Sequence, residues 1–118
     1  MRRILPDANM PLGLRGLLPA YDVQTARRMG WDWLTNGDLL VAAESAGFEA
    51  MITADRNILH QQNLAGRKIA LIELTTPHWE TIRDNFPDVL AAVEDAKAGG
   101  YSVVVLPRPA RVRRPYPP

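Results

Sequence analysis

The feature that most constrains this chain is the regular alternation of short apolar runs with segments of helical periodicity. Five runs have the length and composition of strands, at residues 3–7, 21–25, 48–53, 68–74 and 101–106. The run at 68–74 is almost continuously apolar, which is typical of a strand buried on both faces of a parallel sheet. Strands that alternate with helices predict a sheet of this kind, with helices on both faces. We therefore expect an α/β fold with a mainly parallel central sheet of about five strands.

Four segments carry the periodicity or the end signals of helices, at residues 11–18, 35–46, 58–63 and 78–98. Pro11 lies in the first turn of the first helix, where proline is well tolerated. The second helix begins in the polar stretch 35–38 and ends at Gly47. Pro87 interrupts the last segment, which predicts two helices or a kink near Asn85. Residues 26–34 contain a glycine and two tryptophans, and we expect a short helical turn followed by a loop.

Length and composition exclude several classes of protein. The 118 residues correspond to one domain. The chain has no cysteine, which excludes disulfides, thiolate metal sites and a cysteine nucleophile. No apolar run has the length of a signal peptide core or of a membrane span. We therefore expect a cytoplasmic protein with no membrane partner.

Charge divides the chain into two parts. Four of the 14 basic residues and none of the 13 acids lie in residues 108–118, so residues 1–107 have a net charge of −3. The same tail contains four prolines and little apolar side chain, a composition that predicts disorder. We expect a folded domain at 1–107 and a basic, proline-rich tail at 108–118. The tail is either a solubilising end or an attraction for nucleic acid or an acidic partner.

Three acids occupy the ends of the predicted elements. Asp7 ends the first strand, Asp55 follows the third, and Asp38 lies in the first turn of the helix between them. Helices begin at the edge of a parallel sheet where strands end, and neighbouring strands lie about 5 Å apart. Ligands bind at this edge in open α/β sheets. All three carboxylates are therefore expected to converge there.

Carboxylates without histidine or cysteine suit magnesium or manganese, and Mg²⁺ commonly combines one or two carboxylates with waters and a substrate phosphate. The predicted metal ligands and catalytic residues are Asp7, Asp38 and Asp55. Four polar neighbours are predicted to contact the substrate: Asn9, Asn36, Arg56 and Asn57. The alternative is structural, with Asp7 as a turn residue, Asp38 as a helix cap, an Asx turn at 55–57 and Arg56 in an exposed salt bridge.

Several short segments together resemble the short PIN-like domains, a bacterial family related to the VapC-type toxin ribonucleases. The matching segments lie in the family's order, at residues 4–11, 29–31, 36–40, 53–57 and 61–64, and they span about residues 2–106. The resemblance implies a PIN-like three-layer α/β/α sandwich with an acidic, metal-dependent nuclease pocket. Asp7, Asp38 and Asp55 then occupy the family's acidic positions. Asn57 lies near the place where longer PIN domains carry a further acid.

Three departures from the family pattern bear on the site. Ala8 stands where the family usually has a second acid, and Asp38 stands where it usually has Glu. Pro6 replaces an aliphatic residue, and because proline cannot donate to a sheet ladder it must mark the end of the strand. Three acids remain, and they are compatible with either one or two bound metals.

The resemblance implies a Mg²⁺- or Mn²⁺-dependent endoribonuclease that cuts single-stranded RNA, as the toxin of a type II toxin–antitoxin pair. The alternative is a catalytically weak PIN-like module that binds protein or RNA, since Ala8 removes an acid from the pocket.

Two protein partners are expected besides the RNA substrate. Residues 31–34 and the surroundings of Trp79 and Phe86 carry large apolar side chains, which predict a homodimer. A small antitoxin-like protein would occlude the pocket. The alternative is that all three tryptophans pack inside the monomer.

Overall fold

The computed structural model describes residues 2–58 and 63–107 of the chain. The tail predicted at 108–118 and residues 59–62 of the short helix predicted at 58–63 lie outside these ranges.

Five parallel strands form one sheet, in the spatial order β2-β1-β3-β4-β5. The strands are β1 (Arg3–Pro6), β2 (Asp22–Val23), β3 (Ala50–Thr53), β4 (Ala70–Leu74) and β5 (Tyr101–Val104). The predicted α/β class and parallel sheet are confirmed. Each strand is shorter than its apolar run, and β2 most of all, because it lies at the edge and pairs with β1 over only two residues.

Four helices lie within the described residues: α1 (Leu14–Leu17), α2 (Asn36–Ser45), α3 (Trp79–Asp84) and α4 (Phe86–Asp95). The predicted stop at Gly47 is confirmed, because this glycine takes a φ of +87°. The predicted break near Asn85 is also confirmed, and Pro87 lies in the first turn of α4. The helix expected at 11–18 is a single turn, since two glycines weaken its helical propensity. None of the described helices is long and apolar enough to cross a membrane.

The sheet is the middle layer of three, because its side chains alternate between two separate cores. One core joins β1, β3, β4 and β5 to α1, α3 and α4 through Ile4, Ile52, Ile72, Val104, Leu14, Ile82 and Val89. The other joins the opposite face to α2 and to Ile58 through Leu5, Met51, Leu71, Leu39, Leu40 and Ala43. The predicted three-layer α/β/α sandwich is therefore confirmed, and the arrangement is consistent with that of PIN-like domains.

The position of Pro6 follows from the unequal lengths of the strands beside β1. Successive backbone N–H groups of a strand point to opposite neighbours, and the Asp7 N–H donates to the Ile52 carbonyl on β3 at 2.9 Å. The Pro6 nitrogen therefore faces β2, whose ladder has already ended at Val23. The proline is tolerated because no acceptor strand remains on that side. Because β1 ends at Pro6, Asp7 is the first residue after the strand and lies at the sheet edge.

Gly13 allows α1 and α3 to meet, and its replacement should destabilise the fold. A Cβ at Gly13 would lie 2.5–2.8 Å from three ring atoms of Trp79, whereas one at Gly16 would meet nothing within 4 Å. Neither glycine has a positive φ, so alanine suits the backbone at both sites. We expect Gly13→Ala to lower the free energy of unfolding by about 1–3 kcal/mol. Gly16→Ala should be neutral or slightly stabilising. Urea denaturation measures both, and equal effects would contradict the close approach.

Candidate functional site

Asp7 is a buried carboxylate at the carboxyl end of the sheet. Its side chain follows β1 and only 4% of the residue is exposed. One carboxylate oxygen accepts the backbone N–H of Asn9 at 2.8 Å, and the other accepts the Thr53 hydroxyl at 2.5 Å. These contacts fix the side chain of Asp7 in one orientation.

Thr53 joins the two acid-bearing loops. It is the last residue of β3 and is fully buried. Its hydroxyl donates to the Asp7 carboxylate and accepts the backbone N–H of Asp55 at 3.0 Å. Sequence reasoning missed this residue. The signal was a threonine two positions before an acid at a strand end, where a hydroxyl can bond to backbone two residues on.

Asp55 is half-buried and is held by two donors. Its Oδ1 accepts the backbone N–H of Asn57 at 2.8 Å, and its Oδ2 accepts the side-chain amide of Asn36 at 3.1 Å. The first contact is the Asx turn that the sequence offered as the structural alternative. The second brings the start of α2 into the site, so a structural turn and a candidate ligand coincide in one residue.

Asp38 occupies a different place from the one the sequence predicts. Its backbone N–H donates to the Thr35 hydroxyl, which makes Thr35 the cap of α2, and the residue is exposed. A helix turns by about 100° per residue, so positions two apart point in nearly opposite directions. Because Asn36 contacts Asp55, this spacing places Asp38 on a different side of α2 from Asn36. Among the residues described, no three or more His, Cys, Asp or Glu side chains are grouped to hold a metal ion.

The other predicted contacts lie at the rim. Asn9 contributes its backbone N–H to Asp7, and Asn57 does the same for Asp55. Arg56 is exposed, and within the described ranges its side chain makes no hydrogen bond or ion pair, so it forms no salt bridge there. The structure thus brings Asp7, Thr53, Asp55 and Asn36 together, with Asn9, Arg56 and Asn57 around them.

The surroundings of Asp7 disfavour the ionised form of its carboxyl group. Burial raises the pKa of Asp7 above its ordinary value of 3.8, and the neighbouring carboxylate of Asp55 raises it further. Hydrogen bonds from Thr53 and from the backbone of Asn9 and Met10 act in the opposite direction without cancelling this effect. In the part of the chain that the structure describes, no cationic side chain pairs with either carboxylate.

This donor set fits one hard divalent cation. The Asp7 carboxylate accepts hydrogen bonds from Thr53, Asn9 and Met10, and the Asp55 carboxylate accepts from Asn36 and Asn57. A carboxylate has about four lone-pair sites, so acceptor capacity remains on both. Two carboxylates, with waters and a substrate phosphate to complete the shell, are a common arrangement for Mg²⁺. A cation would also relieve the repulsion between the two acids.

A pocket of about 290 Å³ opens beside Asp7, on the side towards β2. Its wall includes Arg15 from α1 and Arg27 from the loop after β2, with Asp32 as a second acid. Asp55 and Thr53 do not line it, so Asp7 is the member of the site that faces both the carboxylate pair and the pocket. Sequence reasoning did not find either arginine, because no strand end or helix start marks them.

Comparisons with family models, with curated proteins and with solved structures gave no match for this chain.

Thr53 should stabilise the fold through its hydroxyl. Thr53→Val removes the hydroxyl donor to the second oxygen of Asp7 and leaves the Asp55 N–H without its acceptor. We expect it to lower the free energy of unfolding by about 1–3 kcal/mol. Thr53→Ser keeps the hydroxyl and should retain most of the stability. Urea denaturation in EDTA compares the two variants. Equal losses would mean that the methyl group contributes as much as the hydrogen bonds, and would contradict the prediction.

Asp7 should make the stability depend on pH in a defined direction. Because its folded-state pKa is raised above 3.8, ionisation opposes folding, and stability falls as pH rises from there through the raised value. Asp7→Asn has no charge to bury and should be more stable than wild type at neutral pH in EDTA. The difference should vanish below pH 3.8.

Urea unfolding of both proteins across this range measures the effect. Asp84→Asn, which changes an exposed carboxylate, should show no such trend. A difference between Asp7→Asn and wild type that stays constant with pH would contradict the assignment.

Proposed function

We propose that this chain is a Mg²⁺- or Mn²⁺-dependent endoribonuclease that cuts single-stranded RNA. The observation that carries the proposal is the buried Asp7 carboxylate, which faces Asp55 at the carboxyl edge of a parallel sheet and has no cationic partner among the described residues. Acids held at such an edge against their own repulsion are candidates for function. The motifs shared with PIN-like domains support the choice of RNA as the substrate.

Asp7 and Asp55 are the residues that would hold the metal. A bound divalent cation supplies an activated water and stabilises the charge that develops on the phosphate. Thr53 and the Asn9 N–H orient Asp7, while Asn36 and the Asn57 N–H orient Asp55. The two carboxylates therefore keep their directions without the metal.

Asp38 has a lesser role in this proposal than the sequence suggests. It is exposed, and among the described residues it does not form a group of three ligands with Asp7 and Asp55. Ala8, directly after Asp7, has no side-chain oxygen and supplies no further ligand. We therefore assign one metal to the site.

The second candidate function is that of a catalytically weak binding module. It is favoured by the same two observations, that Ala8 supplies no ligand and that Asp38 stands apart from the pair. A calorimetric titration with manganese separates the two functions. Absence of metal binding by the folded protein would favour the module.

The proposed partners are a small antitoxin-like protein and a second copy of the chain. The homodimer is predicted from large aromatic side chains. Trp31 packs against Phe48, and the Trp79 ring covers Gly13, so both tryptophans make contacts within the monomer. Trp33 is 78% exposed, and Phe86 is partly exposed. Trp33 follows Asp32 of the pocket wall, so a protein that covers Trp33 would also approach the pocket. The homodimer and the antitoxin stay predictions.

Activity should depend on the two paired acids and much less on Asp38. With Mn²⁺, wild type should cut single-stranded RNA, and Asp7→Asn and Asp55→Asn should reduce the rate at least 100-fold, on the order expected when a metal ligand or its partner is lost. Asp38→Asn should keep a measurable part of the activity. The assay is gel analysis of a labelled RNA.

Asp84→Asn is the matched control, because it makes the same substitution at an exposed acid of α3 and should cut like wild type. EDTA should abolish cleavage, and added Mn²⁺ should restore it. Equal cleavage by wild type and Asp7→Asn would identify a contaminating nuclease and overturn the proposal.

A further inference from the structure

The pocket beside Asp7 carries more than the carboxylate pair requires. It lies between the loop that follows β1, the start of α1 and the loop that follows β2, with Arg15 and Arg27 in its wall. Metal ligation by Asp7 and Asp55 makes no use of these arginines. The presence of two arginine side chains next to a buried acid is therefore not explained by metal binding.

Both arginines are available to a ligand. Within residues 2–58 and 63–107, neither guanidinium makes a hydrogen bond or an ion pair, and both residues are exposed. In contrast, Arg2, Arg3 and Arg83 each pair with an acid. A guanidinium presents a planar fork of donors that matches the oxygens of a phosphate. The two free forks therefore favour an anionic phosphate group.

Apart from the acids and Thr25, the rest of the wall is apolar. Met10, Pro11, Val23 and Ala26 line it, and Leu12 is 79% exposed at its rim. An apolar surface beside two guanidinium groups suits the flat face of a base or the carbon face of a ribose. The volume of about 290 Å³ is near the lower limit of ligand pockets, about 300 Å³, so the pocket suits one nucleotide.

We infer that this pocket binds the nucleotide next to the phosphodiester that is cut, with its phosphate on Arg15 and Arg27 and its ribose or base on the apolar wall. The inference rests on the proposed nuclease function and names a subsite for its substrate. Asp7 lines the pocket and also faces Asp55, so a nucleotide held there has its neighbouring phosphodiester at the metal ligands. Arg15 and Arg27 are positioning residues in this arrangement.

Asp32 allows a test in which RNA binding is expected to change in the opposite direction. Its carboxylate lies in the same wall and repels a phosphate. Removal of an arginine should weaken RNA binding, and removal of the Asp32 charge should strengthen it. A surface that attracts RNA only through its overall charge would respond in the same way to any exposed arginine.

The experiment measures binding of a short fluorescein-labelled oligouridylate by fluorescence polarisation. It uses Asp55→Asn with Mn²⁺ present, because this variant keeps every residue of the pocket wall and is expected not to cut. Arg15→Ala and Arg27→Ala should each weaken binding about tenfold, as expected for loss of a charged hydrogen bond. Each should also reduce the slope of log K against log salt concentration by about 0.7.

Arg28→Ala is the matched control. It removes the same charge as Arg27→Ala, but Arg28 is exposed and does not line the pocket. It should weaken binding much less than Arg27→Ala. In the enzyme that keeps Asp55, Arg15→Ala and Arg27→Ala should raise KM more than they lower kcat.

The outcomes separate this inference from the proposed function. Equal losses for Arg27→Ala and Arg28→Ala, or no gain for Asp32→Asn, would overturn the subsite while cleavage by wild type stands. Arginine-dependent binding by a protein that never cuts RNA would keep the pocket as an RNA site and overturn the nuclease. Binding that is the same in all variants would exclude the pocket from RNA recognition.

Discussion

The hydrogen bond between the Thr53 hydroxyl and the Asp7 carboxylate is the contact on which the rest of the site depends. It connects the ends of two neighbouring strands, and the same hydroxyl accepts the backbone N–H of Asp55. Burial of an ionised carboxylate is costly unless hydrogen bonds or a cation compensate it. The hydroxyl and nearby backbone N–H groups of residues 9 and 10 compensate Asp7 in part. The remaining cost raises its pKa and leaves a place for a cation.

The topology explains why this contact is possible. β1 lies between β2 and β3, and its register with β3 places the residue after Pro6 beside Thr53. The shortness of β2 opens the other side of Asp7, because the chain leaves the sheet after Val23 and its following loop forms part of the pocket wall. A longer β2 would close that side with a ladder, and Pro6 could not complete it. The irregular edge strand and the proline thus belong to the same arrangement.

Sequence reasoning reached the sheet, the main helices and the two acids at strand ends, because these follow from apolar periodicity and from the parallel topology. It grouped Asp38 with Asp7 and Asp55, whereas among the described residues no three such side chains are grouped to hold a metal ion. The phase of a helix about its axis depends on packing that the sequence expresses only in part. Leu39, Leu40 and Ala43 are buried against the sheet and set that phase, which turns Asn36 to the site. It also missed Arg15 and Arg27, which line one pocket only because α1 and the loop after β2 both pack beside β1.

Charge is distributed asymmetrically around Asp7, and the asymmetry suits an anionic polymer. On the β3 side lies a second carboxylate, which repels phosphate until a cation neutralises the pair. On the β2 side lie Arg15 and Arg27, which have no ion pair within residues 2–58 and 63–107 and which attract phosphate with or without a metal. A single phosphate could satisfy only one of these sides, whereas a strand of RNA presents successive phosphates to both. For the proposed nuclease, this charge distribution would favour a polymer over a free nucleotide and would make productive binding conditional on the metal.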